Sequence, residues 1–343
     1  MSWAGADDAA ALDFLLNISR RHGLRDTLLI PAGDAEIRLT AQSHGALSGA
    51  FRIMLPEWEA LRWVCEKPLL YQRAAELGLA FPNTYRIAAP EQAAGLEPAF
   101  PIILKPHMGG GNSRFVKAKV IRVDNRASFL PAYNEAATEI GAGNVVVQEM
   151  IPGGGESQFS YAALWHGGAP VAEFTARRTR QYPVDFGYTS TFVETADEPE
   201  AAAAARILLA SISYSGLVEI EFKRDRRDGA LKLLDVNPRP WSWFGLCRAA
   251  GIDLGAMLWA LAQGDTVPSA GVQSHASWMY LSRDVAAAIG LASGGRLSAA
   301  QYLRSFTAVR SWATFSLNDP LPGLIDLPLT AWRVLTRRVF HIG

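Results

Sequence analysis

Cysteine is scarce in this 343-residue chain: only Cys65 and Cys247 occur, far apart and without metal-ligand spacing around either. That excludes a disulfide framework and cysteine-rich zinc modules, and two isolated thiols fit a cytoplasmic protein. An excess of charge is lacking too, because 33 Lys and Arg balance 33 Asp and Glu. No net pull toward nucleic acid or a membrane acts on the chain as a whole. No uninterrupted apolar run of about 18 residues occurs, and the opening Met-Ser-Trp-Ala-Gly-Ala-Asp-Asp has neither a basic region nor an apolar core. Neither a membrane span nor a secretory signal is expected. Gly-x4-Gly-Lys-Ser/Thr, Gly-x-Gly-x-x-Gly between strand and helix, Gly-x-Ser-x-Gly and His-Glu-x-x-His are all missing. P-loop and dinucleotide folds, serine hydrolases and zincins lose ground accordingly.

What is present is apolar enough to fold: 49% apolar and 19% charged residues describe a globular chain, long enough for two or three domains. Helical spacing over residues 8–21, short apolar strands at Thr27 to Ile30 and Phe51 to Leu55, and a helix from Ala35 to Gln42 between them predict an α/β start with parallel strands. A further helix opens at Lys67 with Pro68 in its first turn. Pro101-Ile-Ile-Leu-Lys-Pro is a buried strand with Lys105 near its end, followed by His107-Met-Gly-Gly-Gly-Asn-Ser-Arg114. Three successive glycines let backbone approach a ligand closely. Val116 to Val123 reads as a strand, residues 125–137 as a helix, and Asn144 to Glu149 as a very apolar strand. A hairpin spans Ser157 to Trp165 and Ala169 to Ala176, and the basic run Arg177 to Gly187 is expected to be a loop. Beyond residue 275 the chain reads as mostly helical. Its last stretch, Leu327 to Phe340, is expected to dock as an amphipathic helix, with a position on a membrane surface as the alternative.

The most informative stretch is Gly-Leu-Val-Glu-Ile-Glu-Phe-Lys from Gly216, a turn ending Asp228-Gly229, and then Leu-Lys-Leu-Leu-Asp-Val-Asn-Pro-Arg to Arg239. Two alternating segments around a turn predict a β-hairpin. Period-two alternation sends Val218, Ile220 and Phe222 to one face and Glu219 and Glu221 to the other. On the return strand Leu234 and Val236 share one side, Asp235 and Asn237 the opposite side. Oxygen ligands on a rigid scaffold, short of a full cage, suit Mg²⁺ when phosphates complete the shell. A solvated acidic face explains the two glutamates about as well, but accounts less well for Asp-x-Asn-Pro-Arg, whose residues are poor strand formers.

In order, the chain offers Lys67 at a helix start, Lys105 at a strand end, a triglycine loop, Glu149, Glu156 and the acidic hairpin. This series resembles the ATP-grasp superfamily, and within it the carboxylate–amine ligases with a carbamoyl-phosphate-synthase-like nucleotide domain. The resemblance covers roughly residues 28–265 and is most specific in Val-Glu-Ile-Glu-Phe-Lys with Leu-Leu-Asp-Val-Asn-Pro-Arg-Pro. It implies an α/β (α+β) fold with a short N-terminal α/β domain over residues 1–85, a small subdomain with a glycine-rich lid over 86–155, a large subdomain with the metal-binding hairpin over 156–270, and a mostly helical extension over 271–343.

The resemblance further implies ATP with Mg²⁺, or Mn²⁺, as cofactors. Lys105 would contact the nucleotide's α- and β-phosphates and Lys67 would lie on the nucleotide side, with Gly109, Gly110, Gly111, Asn112 and Ser113 closing over the β- and γ-phosphates. Glu149, Met150 and Ile151 would form the adenine hinge, and Glu156 would hold the ribose. Glu221, Asp235 and Asn237 match the metal ligands, and Arg239 matches the arginine on the transferring γ-phosphate. Asp235 stands where these families commonly carry Glu, and the region before Lys67 is short for their N-terminal domain.

The implied reaction joins a small carboxylic acid to an amino-acid-like amine through an acyl phosphate, with no nucleic-acid partner, and a homodimer is one assembly open to it. Arg177, Arg178 and Arg180, with Tyr182, are candidates for gripping the substrate carboxylate, Arg180 being counted with Arg239 and Lys105 among the catalytic residues. Trp241 and Trp243 either line the acceptor pocket or pack in the core. Carbamoyl-phosphate-type chemistry with another nucleophile, and a noncatalytic ATP-binding protein, are the competing readings.

Overall fold

The computed structural model describes residues 7–85, 87, 89–107, 114–118, 120–184 and 189–338. The opening unit is an α/β layer in which β1 (Leu28–Leu29) pairs in parallel with β2 (Arg52–Ile53), with helices Asp8–His22 and Asp34–Gln42 around them. A four-stranded sheet follows, ordered β3-β6-β4-β5, from β3 (Thr84–Tyr85), β4 (Ile102–Pro106), β5 (Ile121–Val123) and β6 (Val145–Glu149). The strand expected from Val116 begins instead as a helical turn, Arg114–Ala118, which buries Phe115 in this layer's core. A helix over Arg126–Ile140, capped by Asn125 on the Ser128 N–H, covers one face with Phe129 and Tyr133.

The third sheet has seven strands in the order β11-β10-β7-β8-β9-β12-β13. They are β7 (Gln158–His166), β8 (Ala169–Tyr182), β9 (Thr189–Ala196), β10 (Gly216–Arg224), β11 (Leu231–Asn237), β12 (Ser277–Met279) and β13 (Val309–Trp312). Both faces are covered. Val218, Ile220 and Phe222 point from β10 into a core built with helices Trp58–Cys65, Lys67–Glu76 and Pro199–Ala210. Burying each contributes roughly 1.5–3 kcal/mol. Leu217 faces the other way, into a core shared with Trp241, Trp243 and helix Leu254–Gln263. Gly216 opens β10 at φ 117°, where an added Cβ would sit 2.5 Å from the Met54 carbonyl oxygen. Only glycine lets the strand pass so close to the opening unit.

Three further expectations are corrected. Arg177 to Tyr182 is not loop but the second half of β8, paired with β9, because each buried arginine there meets a carboxylate from elsewhere in the chain. On β11 the register shifts beside Glu221 and Phe222, so Leu233 and Val236 take the core positions and Leu234 does not share a face with Val236. The C-terminal helix, Leu321–Arg338, does not bury its apolar face: Leu321, Leu324, Ile325 and Trp332 are all exposed. Among the described residues no helix is long and apolar enough to cross a membrane.

Candidate functional site

The hairpin places its acids where alternation predicts, and the structure shows what surrounds them. Glu219 is 2% exposed. Its Oε1 accepts from Ser160 Oγ at 2.9 Å, an Arg178 guanidinium N–H at 3.2 Å and Trp243 Nε1 at 3.2 Å, while Oε2 accepts from Asn237 Nδ2 at 3.2 Å. Burial pushes its carboxyl above the ordinary range, with Arg178 opposing. Glu221 is less enclosed; its Oε1 accepts from Arg178 and, at 3.1 Å, from Asn237. Burial disfavours the charge of Arg178, but Glu221 and Glu219 hold its guanidinium above the ordinary pKa.

Asp235 lies opposite Glu221 in the ladder and pairs with Lys67 Nζ at 3.2 Å. Burial opposes ionisation of Asp235, but Lys67 and Lys105 together hold its pKa below the usual value. For Lys67 burial is likewise outweighed, and Asp235 raises its pKa. The start of the Lys67 helix is tied to the end of β4, since Lys67 N–H donates to the His107 carbonyl at 3.2 Å. That bond brings two lysines from separate elements to one place.

The β-bulge has a chemical consequence. It turns the Leu234 carbonyl outward, where it accepts from Tyr71 Oη at 2.8 Å and Lys105 Nζ at 3.4 Å, while Lys105 also donates to Tyr71 Oη at 2.6 Å. Among the described residues no carboxylate bonds Lys105 directly. Burial, with Lys67 nearby, lowers its pKa to about 7. A desolvated lysine whose described hydrogen bonds run to a hydroxyl and a carbonyl is poised to accept an anion.

Arg239 completes the cluster. Its Nε donates to Asp34 at 2.6 Å and one terminal nitrogen to Asn237 Oδ1 at 3.0 Å. A cavity of about 390 Å³ opens among Asp34, Cys65, Lys67, Asp235 and Asn237, and a second of about 290 Å³ lies between Arg239 and the apolar ends of β1 and β2. Glu221, Asp235 and Asn237 are hard oxygen donors on neighbouring positions, so their chemistry fits Mg²⁺. Among the described residues no three His, Cys, Asp or Glu side chains form a metal-holding group by themselves. The fit is therefore to an ion shared with phosphate oxygens, not to a cage made by protein alone.

The expected hinge is at the end of β6. Glu149 accepts from Asn83 N–H at 2.9 Å, Lys232 at 3.0 Å and Arg227 at 2.9 Å, and these bonds hold its pKa down against burial. The Met150 N–H is used by the Pro101 carbonyl at 3.2 Å, and Ile151 is buried. Glu156 is exposed, bonded to its own loop at Gly154 N–H and to Arg226. Gly109, Gly110, Gly111, Asn112 and Ser113 lie outside the described residues.

Arg180, expected among the catalytic residues, is turned elsewhere. It is buried between Phe192 and Tyr302 and gripped by Asp284, so none of its contacts reaches the acidic hairpin. Arg177 is likewise paired, with Glu194 at 2.6 Å. The carboxylate-gripping role read for these arginines is thus met by protein carboxylates. Trp241 and Trp243 pack in the core, Trp243 also anchoring Glu219. Sequence reasoning missed Tyr71 and Asp34. Tyr71 stands four residues after Lys67, on the same helical face, a spacing that could have pointed to it. Asp34 carries no comparable signal.

No protein-family model matches this chain, and no curated protein matches it in sequence. Solved structures do match in shape. A biotin carboxylase from Campylobacter jejuni, crystallised as a β-γ-ATP complex, superposes at TM-score 0.63 with 18% identity over 78% of this chain and 61% of its own. Pyruvate carboxylase from Rhizobium etli gives 0.62 at 16% identity, covering 81% of this chain and 26% of its own. An L-amino acid ligase from Bacillus licheniformis gives 0.57 at 16% identity, over 75% and 61%. The chain thus spans less than two thirds of the length of each. At these identities the likeness is one of fold, and the chain has the ATP-grasp fold.

Proposed function

We propose that this protein is an ATP-dependent ligase that joins a carboxylic acid to an amine. The observation that carries the reading is the convergence of Lys67, Lys105, Asp235, Asn237 and Arg239 on one acidic hairpin, cations and oxygen donors alternating within hydrogen-bond reach.

An ionised carboxylate resists an amine, so its oxygen must first become a leaving group. In the proposed reaction the carboxylate oxygen attacks the γ-phosphorus of ATP, the bond to the β-phosphate oxygen breaks and ADP departs. The amine nitrogen then attacks the acyl carbon, phosphate leaves with the bonding pair, and the nitrogen loses a proton. Lys67 and Lys105 would bind the polyphosphate, and Arg239, held by Asp34 and Asn237, would meet the phosphoryl group in transit. Glu221, Asp235 and Asn237 would hold Mg²⁺, which when bound neutralises charge on the phosphate oxygens. Positioning supplies the rest. The apolar cavity beside Arg239 supports an acid held by its carboxylate end, and the likeness to an L-amino acid ligase supports an amino-acid-like substrate.

The test is ADP and phosphate release from Mg-ATP with pooled amino acids and small acids, comparing the native chain with a variant carrying Asp235→Ala and Asn237→Ala. Release that needs both an acid and an amine, and vanishes in the variant, is expected. Release driven by bicarbonate would reassign the acid and release driven by ammonia the amine, and nucleotide binding without turnover in any pool would overturn the ligase reading.

A second prediction follows from Lys105. With its pKa at about 7, it is mostly neutral at pH 8, and polyphosphate beside it favours the charged form. ADP binding at pH 8 should take up close to one proton, and affinity should weaken as pH rises above about 7. Calorimetry in buffers of different ionisation enthalpy measures this directly; zero uptake would remove Lys105 from the phosphate site.

A further inference from the structure

The C-terminal helix is amphipathic, yet it is mounted the wrong way round for a core element. Leu321, Leu324, Ile325, Leu329, Trp332 and Leu335, spaced by three and four, form one broad stripe, and all are exposed; Leu324 is 63% and Trp332 61% accessible. Gly323, Asp326 and Thr330 lie on the opposite side and are half-buried, with Gly323 close against Phe315 and the helix touching Leu281–Ser293. The polar side rests on the protein and the apolar side faces out. Leu317, just before the helix, is 89% exposed and extends the apolar surface.

Charge indicates what covers this stripe. The whole chain is neutral, but residues 275–343 hold seven arginines and no lysine against three aspartates and no glutamate. One of those aspartates, Asp284, is buried against Arg180, which comes from outside the segment. Arg304, Arg310 and Arg333 are exposed. A symmetric pairing of two copies through the stripe would bring this basic region against itself, which is unfavourable. An anionic lipid surface supplies the opposite charge and an apolar layer for the leucines, with Trp332 suited to the boundary between them.

We propose that helix Leu321–Arg338 is a membrane-surface docking element, which lays its apolar stripe into an anionic leaflet and holds the catalytic body beside it without spanning the bilayer. The test uses the full chain in flotation with vesicles of equimolar phosphatidylglycerol and phosphatidylcholine, against phosphatidylcholine alone. Binding to the anionic vesicles only, weakened by salt, is expected. Combining Leu324→Glu with Trp332→Glu should reduce partitioning at least roughly tenfold, and Arg333→Glu alone should reduce it by roughly tenfold. These side chains are exposed, so thermal unfolding should not shift; should the paired variant misfold, Arg333→Glu decides the matter by itself. Failure to float with either vesicle overturns the proposal, and so does equal flotation with both. A native dimer in sedimentation that the paired variant disperses, without vesicle binding, would show that a second copy covers the stripe.

Discussion

Substituting Arg239 by alanine should lower ATP-dependent product formation by roughly 10³-fold, the loss seen when a guanidinium on a transferring phosphoryl group is removed. That factor corresponds to about 4 kcal/mol of barrier. The structure separates this from a folding effect. Arg239 is fixed by Asp34 at 2.6 Å and Asn237 at 3.0 Å, but Asp34 is partly exposed, and losing such a pair costs stability only about 0–1 kcal/mol. Burial disfavours the charge of Arg239, and Asp34 restores it, so the guanidinium waits charged and oriented. Lysine at this position should recover little, because a point charge cannot donate to Asp34 and Asn237 in one plane. Asp34→Asn keeps a weaker bond and should cost less than Arg239→Ala. Initial rates with saturating ATP, paired with thermal unfolding of each variant, check the prediction. Unchanged rates in Arg239→Ala would take the arginine out of the reaction.

How far the sequence could be read depended on whether a residue's environment was local. Alternation along β10 sorts Val218, Ile220 and Phe222 from Glu219 and Glu221, because period two is a property of the strand itself. The helix at Lys67 was legible for the same reason, through Pro68 at its first turn. The bulge at Leu234 was not, since register belongs to two strands at once, and with it the sequence concealed how Lys105 and Tyr71 share one carbonyl. The arginines of β8 misled for an electrostatic reason. A basic run reads as solvated loop unless its counter-charges are known, and those lie at Glu219 and Asp284, far along the chain. The site shows the same division. The oxygen donors Glu221, Asp235 and Asn237 follow from one motif, whereas Asp34 reaches Arg239 across 205 residues of sequence. The C-terminal helix was found from its periodicity, but periodicity gives two faces and does not say which one turns inward.

The largest stability effect should come from Asp284→Ala. Asp284 is fully buried, and both its oxygens accept from the equally enclosed Arg180, at 2.9 and 2.8 Å for the closest pairs. Arg180 also donates to Ser305 at 3.1 Å and lies 4.2 Å from the Phe192 ring. The cluster fastens helices Leu281–Ser293 and Ala299–Ala308 to β8 and β9. Removing the carboxylate strands a buried guanidinium without its counter-charge, and breaking a buried pair in this way costs about 3–5 kcal/mol. Replacing both partners should cost much less, because an apolar pair of similar volume needs no desolvated charge. Urea midpoints for Asp284→Ala, and for Arg180→Met combined with Asp284→Leu, measure the difference. The double variant also decides what Arg180 is for. Among the described residues its side-chain contacts fall within this cluster, so a stable double variant should retain the turnover of the native chain. Loss of turnover without loss of stability would return Arg180 to the catalytic residues, and would mean that β8 rearranges when substrate binds.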